Sequence, residues 1–214
     1  MRIILRFGYL FSLFVLFLLF FIRYVEANHG AGTSGTAITI PAITLKSGTF
    51  SLGLRTELTE FESISNSKLL DKAVEAGSFD AVDRTFLHTF DIGYGVTDDL
   101  SIGLTIGWFE AINFRESELE DDEIEVFRAD PDGITDLWLS GKYRFLRGPQ
   151  GHYTILAGVK FPTGVDDRKN NAGEKIEAVE QPGSGAYDFA TGFAYSRWFT
   201  NDWTMDTSIQ YILR

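Results

Sequence analysis

The sequence predicts an all-β fold: an antiparallel, up-and-down transmembrane β-barrel, incomplete here with about seven strands present, preceded by an N-terminal signal helix. Three observations predict it. Segments of about nine to twelve residues alternate apolar and polar side chains, and a period of two puts every apolar side chain on one face of a strand. Charged residues fall on the face opposite the apolar one. The connections run long, short, long, short along the chain, as they do when every second turn lies on the same side of a membrane.

Met1 to Ala27 reads as a secretory signal peptide. Arg2 and Arg6 give its charged start, Phe7 to Ile22 its apolar run, and Val25 and Ala27 the small side chains before a cleavage site at Asn28. The apolar run is 16 residues, slightly short of the roughly 20 that a membrane-spanning helix needs. Residues 28–47 read as a flexible lead-in, with Gly30, Gly32 and Gly35 among Ser and Thr. Ala37 to Leu45 has strand-like alternation, but Pro41 lacks a ladder donor and would confine it to an edge, so it is not counted among the barrel strands.

The barrel segment spans residues 48–214. Strand one, Thr49 to Thr59, places Phe50, Leu52, Leu54 and Leu58 opposite Ser51, Gly53, Arg55 and Glu57. A long connection follows, Glu60 to Asp83, with a short helix predicted within SKLLDKAVEAG. Strand two, Arg84 to Tyr94, gathers Phe86, His88, Phe90, Ile92 and Tyr94 on one face. A polar turn at Thr97-Asp98-Asp99 leads to strand three, where Leu100, Ile102, Leu104, Ile106 and Trp108 alternate strictly with Ser101, Gly103, Thr105 and Gly107. The second long connection, Glu110 to Asp132, holds ten acids and two arginines and reads as a solvated, flexible outer loop. Strand four, Ile134 to Phe145, sets Leu137, Leu139, Tyr143 and Phe145 against Asp136, Trp138, Ser140, Lys142 and Arg144. After a turn at residues 147–151, strand five runs Tyr153 to Phe161, with Lys160 on its polar face. The third long connection, Pro162 to Gly185, precedes strand six, Tyr187 to Arg197, which carries Asp188. A turn at Thr200-Asn201-Asp202 leads to strand seven from Trp203, which carries Asp206.

Aromatics make up 14% of the chain and cluster near strand ends (Phe50, Tyr94, Trp108, Tyr143, Phe161, Tyr187, Trp203), where a membrane barrel carries its girdles. A soluble sandwich or lipocalin-like barrel has the same period with the faces inverted, oily side chains inside. The export signal, the alternating loop lengths and the charge on the polar face favour the membrane form. Seven strands is an odd count, and bacterial single-chain barrels have an even one, so the chain is expected to be part of a longer barrel.

Charge and composition exclude several functions. Net charge is −11, and residues 1–27 carry three Arg against one Glu, which leaves −13 on the remainder. Such a surface lacks the basic footprint of a nucleic-acid binder. With no cysteine there is no disulfide framework, thiolate metal site or cysteine nucleophile. His29, His88 and His152 are scattered, His88 has threonines and not a serine nearby, and no base–nucleophile pair points to an enzyme. The acids of the second connection lack calcium-loop spacing, and QPGSG at 181–185 lacks the Lys-Ser/Thr and following helix of a phosphate cradle. No cofactor or metal is expected. The pore-lining candidates are Arg55, Glu57, Asp136, Lys142, Arg144, Lys160 and Asp188, all on the polar face. Asp136 and Lys142 are too far apart on one strand to pair, so their partners are expected on neighbouring strands.

Four stretches in order, Gly95-Val96-Thr97-Asp98-Asp99-Leu100-Ser101-Ile102-Gly103, Gly133-Ile134-Thr135-Asp136-Leu137, Lys160-Phe161-Pro162-Thr163-Gly164 and Gln181-Pro182-Gly183-Ser184-Gly185, resemble the meta-pathway phenol-degradation family of outer-membrane proteins. The likeness extends over about residues 35–199, and members of that family are longer. It implies a barrel in the outer membrane of a Gram-negative bacterium, in contact with outer-membrane lipid, that acts as a channel or transporter for small hydrophobic or aromatic compounds. It implies no catalytic residues and leaves the oligomeric state open. The alternative is a structural or adhesive outer-membrane protein acting through its acidic extracellular loops.

Overall fold

The structure, a computed structural model, describes residues 39–120, 123–199 and 203–214. The predicted signal peptide, the lead-in up to residue 38 and the turn at 200–202 lie outside the described residues.

The main sheet is antiparallel and curls into a half-barrel. Its path in space is β1 (Phe50–Glu60), β3 (Arg84–Thr97), β4 (Leu100–Ile112), β8 (Leu137–Gly148), β9 (Gly151–Phe161), β10 (Asp188–Trp198) and β11 (Thr204–Leu213). A three-residue strand, β7 (Asp132–Ile134), pairs with β4 beside the start of β8. Each strand of the path therefore neighbours the one before it, as an up-and-down order requires. Among the described residues, the outermost strands, β1 and β11, pair on one side only.

Side-chain direction follows the predicted alternation. On the convex face Phe50 is 70% exposed, Leu54 69% and Ile209 72%. On the concave face Ser101 and Lys142 are each 4% exposed and Thr154 is 0%. A soluble fold would reverse this. An apolar face running across seven strands far exceeds the few hundred Å² that soluble monomers usually expose. Aromatic pairs knit the convex face across neighbouring strands: Phe50 packs on Tyr94 at 4.7 Å between ring centres and Tyr153 on Tyr195 at 4.8 Å.

Three expectations are corrected. First, the acidic connection is an ordered sheet and not a flexible loop. β2 (Ser78–Ala81), β5 (Phe114–Glu120) and β6 (Glu123–Ala129) form a separate three-stranded antiparallel sheet. The chain leaves β4 through Asn113, which adopts a left-handed backbone (φ 55°), a conformation Asn tolerates better than most residues. Its N–H donates to Asp130 Oδ1 and its amide to Asp83 Oδ2. The helix α1 (Asn66–Ala76) packs on this sheet through buried Leu69 and Ala73. Ser65 caps its start by accepting from Lys68 N, and Gly77 (φ 88°) ends it. Arg115, buried beneath, donates to Ile64 O and Asn66 Oδ1 and pairs with Asp83 at 3.3 Å, which ties helix, sheet and barrel rim together.

Second, strand four as predicted is two pieces. Thr135 and Asp136 interrupt the ladder between β7 and β8, because their polar groups bond sideways to neighbouring segments.

Third, the described part of the lead-in, residues 39–47, is held and not flexible. It crosses the concave face, with Ala42 fully buried and Thr44 and Leu45 nearly so. Ala42 packs with Leu156 and Ala194, the small apolar core of the half-barrel, and Ile40 flanks it.

Candidate functional site

Three of the predicted pore-lining residues meet at the rim from which the long connections leave. Asp136 precedes β8, Lys160 ends β9 and Asp188 opens β10, and the register sets Lys160 directly opposite Asp188. Lys160 Nζ lies 2.7 Å from Asp188 Oδ2 and 3.5 Å from Asp136 Oδ2, so one ammonium serves two carboxylates. All three side chains are almost fully buried. Asp136 thus finds its partner on the neighbouring strand, as expected.

The third long connection completes this knot. Gly164 N–H donates to Asp136 Oδ1 at 2.9 Å, and Ser184 donates to Asp136 Oδ2 through its N–H at 2.8 Å and its hydroxyl at 2.7 Å. Lys160 Nζ in turn donates to Ser184 Oγ at 2.5 Å. Gly164 and Gly183 pass so close that a Cβ on Gly183 would sit 2.6 Å from the Gly164 carbonyl carbon. Only two glycines permit that crossing. Gln181, buried, accepts from Arg168 N and donates to the carbonyls of Arg168 and Ile176, which folds the rest of the connection back on itself.

Asp136 lies outside the strands. Burial alone would raise its pKa, but the donors on Ser184 and Gly164 and the Lys160 charge together outweigh it and hold the carboxyl below its ordinary value. The knot is built around a carboxyl group biased toward its charged form. Chemically it is a brace: every acceptor oxygen of Asp136 is engaged by protein donors, so it has little left to offer a solute.

The other candidates lie apart from it. Arg144 sits at the opposite rim, the short-turn side, where Nε donates to Asp99 Oδ1 at 2.9 Å and a terminal nitrogen donates to Asp98 O. Asp98 and Asp99 form the β3–β4 turn, so Arg144 staples β8 to that hairpin. Arg55 and Glu57 are half-exposed on edge strand β1, 4.0 Å apart, far from the knot in the strand order. Lys142 does not find the partner expected on a neighbouring strand: its Nζ is buried and has no hydrogen-bond partner among the described residues.

Sequence reasoning missed Ser184, the Gly164 amide and the hydroxyls of Ser101, Thr154, Ser196 and Ser208, which hold residues 39–47. The last group carried a weak signal, since all four are hydroxyls on the polar face of their strands.

The stretches quoted for the family resemblance account for this architecture. GITDL supplies Asp136, KFPTG supplies Lys160 and Gly164, and QPGSG supplies Gly183 and Ser184, so motifs far apart in sequence meet at one point. GVTDDLSIG supplies the short-turn staple at the opposite rim. No curated protein and no solved structure matches the chain. The family model described as "Putative MetA-pathway of phenol degradation" matches residues 116–214, which contain the three stretches of the knot. Over these residues the chain is similar to the meta-pathway phenol-degradation family.

Proposed function

We propose that the protein is an outer-membrane β-barrel channel that passes small hydrophobic or aromatic compounds, exported by the signal in residues 1–27, and that it is not an enzyme. One observation carries the reading: the half-barrel turns its apolar side chains outward and encloses its charged ones. Hydrocarbon is the solvent that such a surface suits, and a polar interior is what a water-filled passage needs. The family match supports a role beside the breakdown of phenolic compounds. Among the described residues, His88 lies on the outer face bonded to Thr56, and His152 packs edge-on against Trp198.

Liposome-swelling measurements on the reconstituted protein test this. Entry of benzyl alcohol and similar small neutral aromatics is expected to exceed that of a sugar of comparable size. A sealed barrel that admits neither removes the transport reading. It would leave a structural or adhesive role, which the ordered acidic hairpin of β5 and β6 favours.

A further inference from the structure

Residues 39–47 cross the concave face near the short-turn rim, from β11 to the β3–β4 turn. Ile40 N donates to Ser208 Oγ on β11 at 3.1 Å, and Ala42 N to Ser196 Oγ on β10 at 2.7 Å. Thr154 Oγ1 on β9 donates to Ala42 O at 2.5 Å. Leu45 N donates to Ser101 Oγ on β4 at 2.8 Å, and Thr44 Oγ1 to Asp98 O at 2.7 Å. The segment belongs to no strand. Ile40 N, Ala42 N, Ala42 O and Leu45 N are each satisfied by a single side-chain hydroxyl, and water or a ligand could satisfy each hydroxyl equally well.

What the segment covers is chemically distinct from the rest of the concave face. Leu156 and Ala194 give it an apolar floor. Beside that floor is the Lys142 ammonium, buried with no hydrogen-bond partner among the described residues. Both cross-strand neighbours of Lys142, Ser101 on β4 and Leu156 on β9, touch the segment. The neighbouring charges leave the ammonium without a donor–acceptor contact. Arg144 is held by Asp99, and Asp206 attracts Lys142 across the face while accepting a hydrogen bond from Ser196. An unpartnered buried cation is unfavourable, so the covered state is held against a standing cost.

We propose that residues 39–47 are a displaceable strap that closes the lumen over Lys142, and that a small amphiphilic anion, with an apolar body and one carboxylate, takes its place. The apolar body replaces Ala42 on Leu156 and Ala194. The carboxylate pairs with Lys142 and accepts from the freed hydroxyls. This rests on the channel reading above.

The protein has no cysteine of its own, so Ala42→Cys with Ser196→Cys gives one defined cross-link between strap and β10. Benzoate and benzyl alcohol uptake would be followed in proteoliposomes, with the pair oxidised and then reduced. Oxidation is expected to reduce uptake to the level of empty vesicles, and reduction to restore it. Lys142→Met, without the cross-link, is expected to lower benzoate uptake more than that of benzyl alcohol. Equal uptake in the oxidised and reduced states, with the disulfide confirmed by mass, overturns the strap while leaving the channel standing. Strap-dependent uptake with an unchanged benzoate-to-alcohol ratio in Lys142→Met overturns the anion site. No uptake of either solute in either state overturns the channel reading and the strap with it.

Discussion

Asp136→Ala is expected to cost about 3–5 kcal/mol, the range for removing one partner of a buried, hydrogen-bonded ion pair. The loss has several parts. Gly164 N–H, Ser184 N–H and the Ser184 hydroxyl lose their acceptor at once, and Lys160 is left with Asp188 and the Ser184 hydroxyl. The damage should be local to the long-turn rim, because the strand ladders do not depend on Asp136. Hydrogen exchange is the informative measurement: the amides of Gly164, Val165, Gly183 and Ser184 should exchange faster, while those of β4 and β9 stay protected. Asp136→Asn keeps an acceptor but loses the charge, so its effect should be intermediate. The same carboxylate sets an acid response. Its folded pKa lies below the ordinary value of 3.8. The stability it contributes is therefore fully present above that value and is lost as pH falls through the depressed folded one. Exchange at the Gly164 and Ser184 amides should accelerate only in that acidic window, and Asp136→Asn should remove the dependence. A fast-exchanging rim at neutral pH in the unsubstituted protein would contradict this account of the knot.

Gly95→Ala should have the next largest effect, and at the other rim. A Cβ on Gly95 would sit 2.1 Å from the Lys46 carbonyl oxygen. The backbone there cannot slide aside cheaply. Gly48 N–H donates to Gly95 O at 2.8 Å, and Gly95 N–H to Thr49 O at 2.9 Å, so both chains are pinned on either side of the contact. Forced overpacking of this kind costs about 1–3 kcal/mol. The chain should respond by releasing residues 44–49, which carry no strand ladder, and keeping the β3–β4 hairpin. Limited proteolysis would show it: cleavage near Lys46 should become fast in Gly95→Ala, with the remainder of the sheet intact. Unchanged cleavage at Lys46 would mean that the strap is not anchored where it crosses the hairpin.

The parts of this protein legible in its sequence are those set by local period. Leu52, Leu104 and Ile155 could be assigned to the outer face, because alternation within a strand is fixed by the pleat whatever the strand pairs with. The same logic put Asp136, Lys142 and Lys160 on the inner face and required Asp136 to find a partner on a neighbouring strand. Which partner was not legible. The register of Asp188 against Lys160 spans the whole third connection, and nothing local fixes it. The roles of Ser184 and Gly164 were hidden for the same reason, since their bonds to Asp136 join residues 48 and 28 positions apart. In the second connection, FRESELE and EIEVFRA do alternate, but Glu is a poor strand former and so many acids read as solvated loop. Phe114 and Arg115, both buried in the structure, were the signal that the segment folds. The strap was the least legible element. It is neither helix nor strand, Pro41 argued against pairing, and its partners are hydroxyls that looked like ordinary lumen polarity.

The central claim is the direction in which the apolar face points, and the lack of native cysteine makes it directly measurable. Single cysteines at 102, 103, 104, 139, 140, 154 and 155 would each carry an environment-sensitive fluorophore, in bilayers whose lipid tails bear bromine as a quencher. Strong quenching is expected at 102, 104, 139 and 155 and weak quenching at 103, 140 and 154, alternating residue by residue along each strand. Quenching at 103, 140 and 154 with 102, 104, 139 and 155 protected would mean that the oily face is a core, and the membrane barrel with its channel would be wrong.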